Sequence, residues 1–153
     1  MSDYFNYTYF QKFLGKNILA IDFGKKFTGL STFRPGSDPY PLPYDRIRYV
    51  NDAQLMAAIQ KVCLQEDIEV TVIGIPLLLD GGETSMTREV KKFAVSLGEY
   101  LNPIPLFLQD ETLSSFEAKD RMENSPAYNF KYDPTKVDAL AASIILEDFI
   151  KNS

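Results

Sequence analysis

Residues 18–23 set Ile18, Leu19, Ala20, Ile21 and Phe23 almost in one run, so both faces of the predicted strand are apolar, with Asp22 its single charge. A strand of that kind belongs inside a sheet with a layer on either side. Gly24 and Gly29 then bracket a short turn carrying Lys25 and Lys26, and residues 28–34 are rich in strand formers, which predicts a hairpin. Pro35, Pro39, Pro41 and Pro43 write a loop, after which residues 44–50 alternate Ile47 and Tyr49 against Arg46 and Arg48 as a third strand. The period then changes. Leu55, Ile59 and Val62 recur at helical spacing in a helix that Asp52 caps and that runs to about residue 67. Residues 69–75 predict a buried strand, 76–85 a loop, 86–101 a helix, 104–109 a strand and 113–124 a helix. Residues 125–133 connect to a last helix opened by Pro134 with Asp133 as its cap.

Three antiparallel strands followed by helix, strand, helix, strand, helix, helix predict an α/β domain. Its central mixed sheet has five strands, three antiparallel and then two parallel, with helices on both faces. The ribonuclease H type of fold is one of the few with this order, its first strand central and the two later strands parallel beside it. That domain takes residues 17–153. Residues 1–16 read as an aromatic N-terminal extension: Tyr4, Phe5, Tyr7, Tyr9, Phe10 and Phe13 fit neither a strand nor a helix period. Packing against the domain is the favoured role for these rings over a partner or homodimer contact, because exposed aromatic clusters are uncommon on monomers. At 153 residues there is no room for a second full domain, and the one present is large enough to bury roughly two thirds of its unfolded surface.

Composition narrows the chemistry. With 45% hydrophobic and 24% charged residues the chain is a packed globular protein. It has no histidine and one cysteine, so imidazole catalysis, a thiolate zinc cage and an intrachain disulfide are excluded, and proton and metal chemistry falls to carboxylates. Cys63 reads as a structural thiol beside the buried helix face. No apolar run reaches the roughly 18 residues of a membrane span, and the start lacks a basic and an apolar leader region, so a soluble cytoplasmic protein is expected. The net charge of −5 counts mildly against nucleic acid as a partner. Against it, Lys16, Lys25, Lys26 and Arg34 face only Asp22 in their stretch, which predicts one basic corner.

Acids near strand ends and helix starts are commonly turn formers or caps, but three have a context. Asp22 shares its strand face with the apolar Ile18 and Ala20, where an unpaired carboxylate is costly. Glu111 follows an apolar run at the carboxyl end of a predicted parallel strand, where open α/β sheets bind ligands. Asp138 has Ala141, Ala142 and Ile145 at the next three, four and seven positions, which puts it on or beside the stripe facing the sheet. Over one end of the central strand the three converge, and like charges that close call for hard divalent cations, magnesium or manganese, with two ions expected.

The segment ILAIDFGKKFTGLS from Ile18 resembles the opening DxGxxxxGxA motif of the RuvX/YqgF family, Holliday-junction-resolvase-like nucleases of ribosomal RNA maturation. Three further blocks resemble the family in order: VIGIPLLLDGGETSMTREVKKFAVSL from Val72, PLFLQDETLSSFEA from Pro105 and KVDALAASIILEDFI from Lys136. The resemblance implies that Asp22, Glu111 and Asp138 are the metal-binding catalytic residues. It makes Lys26 a phosphate contact, Gly24 and Gly29 points of close backbone approach, and Ser114 and Ser115 a hydroxyl pair that either binds phosphate or caps the next helix. Both glycines serve equally well as a hairpin device, and Asp80 is better read as a turn residue than as a supporting acid. Three positions depart from the pattern: Thr112 stands where an Arg is usual, Phe27 where a second basic residue is common, and Arg34 where an Asp is common.

The function so implied is a metal-dependent nuclease that hydrolyses phosphodiester bonds in structured nucleic acid. In-line attack leaves a 5′-phosphate and a 3′-hydroxyl, and the resemblance favours the precursor of 16S rRNA, met in a ribosomal particle, over junction DNA. The alternatives are a Holliday-junction DNA resolvase and a non-catalytic RNA-binding ribosome-assembly factor, the latter favoured by the acidic charge and by Thr112. A DxG hairpin also opens the phosphate loop of actin-like and sugar-kinase folds, but those need two such domains, which this length excludes.

Overall fold

The computed structural model describes residues 5–112 and 114–152, the side chains of Ser114 and Ser115 excepted. Five strands form one sheet in the order β3-β2-β1-β4-β5. Strand β1 (Ile18–Asp22) is central; β2 (Phe27–Phe33) and β3 (Leu42–Arg48) continue antiparallel on one side, β4 (Val70–Pro76) and β5 (Leu106–Glu111) parallel on the other. This is the expected mixed sheet.

Strand alternation divides the core into two layers. Leu19, Ile21, Leu30, Ile73 and Ile75 point to one face, where α2 (Asp52–Gln65) and α3 (Ser85–Leu101) cover them with Leu55, Ile59, Phe93 and Leu97. Ile18, Ala20, Phe33 and Val72 point to the other, beneath α5 (Val137–Ile150), which supplies Ile145, Leu146 and Phe149. Helix α5 touches all five strands. Its alanines at 139, 141 and 142 are buried, and their small side chains let the helix axis lie close to the sheet. Helix α4 (Ser114–Glu123) packs beside it, tied by a two-pronged ion pair from Arg121 to Glu147 at 2.8 Å on each prong.

A short helix, α1 (Thr8–Lys12), runs through the aromatic start, where no helical period was expected. Phe10 and Phe13 from this segment are buried in the α5-side layer; Phe13 lies 5.6 Å from Phe149 and 5.7 Å from Phe107 between ring centroids. Three other details differ from expectation. Helix α2 is capped by Asn51, whose side chain accepts from the Gln54 N–H at 2.8 Å, while Asp52 instead accepts the Tyr49 hydroxyl at 2.7 Å. Helix α5 begins only at Val137: Asp133 folds a turn before it, accepting the Thr135 N–H at 2.9 Å, and Pro134 lies in the approach. Strand β5 is longer than expected at its end and includes Glu111. Among the described residues no helix is long and apolar enough to cross a membrane.

Candidate active site

Asp22 is the last residue of β1, and the pleat turns its carboxylate toward α5, on the face of Ile18 and Ala20. Its cross-strand partner in β2 is Gly29. On the β4 side Ile21 pairs with Ile73, so the next residue, Gly74, flanks Asp22. Both glycines answer a packing demand rather than a conformational one. A Cβ on Gly29 would overlap the backbone carbonyl of Asp138, and one on Gly74 would run into Ile145 and approach the Glu111 Cγ at 3.5 Å. The missing side chains therefore let the first turn of α5 and the Glu111 side chain close in on either side of Asp22. Gly24 has a different reason: a Cβ there would meet the Phe27 carbonyl within the tight β1–β2 turn, which the buried Thr28 hydroxyl braces by accepting the Gly24 N–H at 3.3 Å.

Electrostatics records the convergence. Burial first, and then the charge of Asp138, push the Asp22 carboxyl up to about 7. Glu111, at 7% exposure, is held well above the ordinary carboxylate range, first by burial and then by a hydrogen bond to Asp148. The charges of Asp148, Glu117 and Asp22 act in the same direction. Asp138 is also raised by burial, with Arg46 opposing: its Nη1 stands 3.8 Å from Asp138 Oδ2. Asp22 thus feels Asp138 on one side and acts on Glu111 on the other. As the side chains stand, no three acids among the described residues gather closely enough to hold an ion; the convergence is one of neighbouring carboxylates at one end of the sheet.

The chemistry of the donor set fits a hard cation. Asp22, Glu111 and Asp138 offer oxygen only, all three carboxyls are raised, and among the described residues Arg46 is the one basic group that acts on any of them. A divalent ion supplies the counter-charge that this arrangement lacks.

Lys26 is exposed at the β1–β2 turn and lines, with Gly24, Phe27, Arg46 and Asp138, a cleft of about 490 Å³. Its neighbour Lys25 is held by Glu89 at 2.6 Å. The expected basic corner does not form. Lys16 and Arg34 flank the opposite ends of β1 and β2, where Ile18 pairs with Phe33, and Lys16 is paired with Glu69 at 3.4 Å. Ser114 opens α4, but its side chain lies outside the described residues. Thr112 is exposed directly after Glu111. Asp80 accepts the Gly82 N–H at 2.8 Å as a turn residue.

Three residues of this neighbourhood escaped the sequence reading. Asp148 sits ten residues after Asp138 on a helix buried almost all round, so its charge was a signal. Glu117 comes from α4, whose placement no local pattern predicts. Arg46 was read only as the polar alternate of Ile47; it is the diagonal neighbour of Phe27 across β2 and β3 and stacks on that ring at 3.7 Å. A cation does reach the place where Phe27 breaks the family pattern, from the adjacent strand.

The fold so built is that of the Holliday junction resolvases. Thermus thermophilus RuvC bound to a Holliday junction superposes with a TM-score of 0.58 at 10% identity, covering 89% of this chain and 95% of that one. The yeast mitochondrial resolvase Ydc2 gives 0.52 at 12% identity, over 91% and 79%. Within that class the chain belongs to the RuvX family, whose model, described as Holliday junction resolvase, matches residues 16–152. Relatives carrying the name "Putative pre-16S rRNA nuclease" include one from Maridesulfovibrio salexigens, 35% identical over 87% of this chain and 96% of its own, and one from Orientia tsutsugamushi, 37% identical over 89% and 84%.

Proposed function

We propose that this protein is a divalent-metal-dependent nuclease that hydrolyses phosphodiester bonds in structured RNA, with the precursor of 16S rRNA as its substrate. The observation that carries the proposal is the position of Asp22 between Asp138 and Glu111, with its carboxyl pushed up to about 7 by burial and by the Asp138 charge. Membership of the RuvX family and the names of the relatives support the substrate.

Asp22, Glu111 and Asp138 are the residues that would hold magnesium or manganese. When bound there, such an ion would supply the acidity for a water and the counter-charge for the phosphoryl oxygens that a chain without histidine otherwise lacks. The chain's own residues do the rest. Gly29 and Gly74 leave the space in which the flanking groups reach Asp22. Burial of Glu111 keeps bulk water from competing for its oxygens. Lys26, exposed at the turn beside Gly24, offers its ammonium to a phosphate of the strand, and the Ser114 hydroxyl is proposed as a further phosphate contact.

The test is a cleavage assay on a precursor 16S rRNA fragment and a four-way DNA junction in parallel, with magnesium, with manganese and with chelator. Cleavage of the RNA that depends on the ion and disappears in a folded Asp22→Asn variant is the expected result. Ion-independent cleavage, or an Asp22→Asn variant as active as the parent, would overturn the proposal. Cutting of the junction alone would transfer the activity to DNA.

A further inference from the structure

We infer that the cleft between the β1–β2 turn and the approach to α5 is a subsite for an unpaired nucleotide of the substrate strand, its phosphate held by Arg46 and Lys26 and its base against Tyr132. This rests on the nuclease reading and goes beyond it, because it assigns the strand state that the site accepts.

The cleft, about 490 Å³, is lined by Lys26, Phe27, Arg46, Tyr132, Thr135 and Asp138. That size falls within the roughly 300–1,000 Å³ of pockets that take small organic groups. Asp138 in its wall joins it directly to the three acids, so a strand seated here continues across them.

Its cations are available. Lys26 makes no ion pair among the described residues, in contrast to Lys25 beside it, which Glu89 holds. Arg46 is pre-arranged by its stacking on Phe27 at 3.7 Å. Its Nη1 donates to the Pro134 carbonyl at 3.3 Å and stands 3.8 Å from Asp138. The other guanidinium nitrogens have no partner among the described residues. A guanidinium fixed in this way loses little freedom when it takes up a phosphate.

An aromatic wall decides between strand states. Tyr132 is 43% exposed and has the Lys119 ammonium 5.5 Å from its ring centroid. Exposed rings interleaved with basic groups along a groove are how proteins take hold of single strands, because each unpaired base presents a face for stacking. In a duplex those faces are used up in the base stack, and only groove edges and backbone remain.

The experiment measures binding apart from cutting. A short fluorescein-labelled single-stranded RNA, the same sequence as a duplex, and the two DNA counterparts are titrated with the full chain in EDTA and followed by anisotropy. Magnesium-dependent cleavage is recorded separately. Single strands are expected to bind at least about tenfold more tightly than duplexes, and Tyr132→Leu to weaken single-strand binding by about tenfold with duplex binding hardly changed. Arg46→Gln is expected to lower the salt dependence of single-strand binding by about 0.7 in the log–log slope, the loss of one phosphate contact. Lys61→Gln, on the far helix α2, serves as the charge control and is expected to change neither. Equal affinity for single strand and duplex, or an unaltered single-strand affinity in a folded Tyr132→Leu variant, overturns the subsite. Tyr132-dependent binding by a chain that never cleaves supports the subsite and overturns the nuclease reading alone.

Discussion

The backbone carbonyl of Asp138 rests directly on Gly29, the residue paired with Asp22 across the β1–β2 ladder. One absent methyl group therefore sets how near the last helix comes to the central acid.

Gly29→Ala is accordingly expected to push the first turn of α5 outward. Overpacking of this kind costs about 1–3 kcal/mol, read as a lower urea midpoint, and nuclease activity should fall more steeply than stability. A variant with unchanged midpoint and full activity would show that the contact between residues 29 and 138 is not limiting.

Folding stability without divalent ions should fall as pH rises from about 4 to about 7. The folded Asp22 carboxyl titrates at about 7 against an ordinary value of 3.8. Protons are thus held by the folded state and given up by the unfolded one in that window, so the contribution is present below the lower value and lost above the upper. The upper bound from this shift is about 4 kcal/mol, reduced by whatever water reaches the partly exposed carboxyl. Asp22→Asn should flatten the profile without abolishing it, since Glu111 and Asp138 are raised in the same direction. Urea denaturation at several pH values in EDTA makes the comparison, and a parent profile that rises with pH would refute it.

Magnesium or manganese at neutral pH should raise the melting temperature of the parent protein, since a ligand bound only by the folded state stabilises it by mass action. Asp22→Asn and Glu111→Gln should lose most of that increment while remaining folded. Equal increments in all three proteins would mean that the ion binds elsewhere.

Asp148→Asn should relieve Glu111. Both the hydrogen bond and the like charge from Asp148 favour the protonated form of Glu111, so the substitution is expected to lower the pH at which the folded Glu111 carboxyl ionises. Carboxyl titration followed by carbon-13 NMR makes the comparison, and an unmoved Glu111 titration would show that Asp148 does not act on it.

Phe10→Ala should destabilise the whole domain by about 3–5 kcal/mol, the usual result of emptying a buried aromatic position. Only 2% of Phe10 is exposed, and it packs in the layer of Phe33 and Phe149. A single cooperative transition shifted downward is expected; no shift would make the segment a detachable appendage.

The sheet was legible because burial is written into alternation. The run from Ile18 to Phe23 is apolar on both faces and lies in the centre, and the charge within it is the one now placed at the centre of the proposed site. Asp138 was legible from the alanines behind it. The approach to α5 was not: Pro134 and Asp133 are common helix openers, and whether the helix starts there depends on the turn that Asp133 makes with Thr135. Phe10 and Phe13 showed no helical period because α1 is only five residues long and is held by rings distant in sequence, Phe107 and Phe149. Arg46 was missed for a related reason, since its neighbours on either side come from β2 and from the approach to α5.

Because α5 contacts all five strands and carries Asp138, the layer of the core beneath it closes only when the last segment of the chain docks. The third of the proposed acids reaches the sheet in that same step, so the order of assembly ties completion of the proposed site to completion of the core.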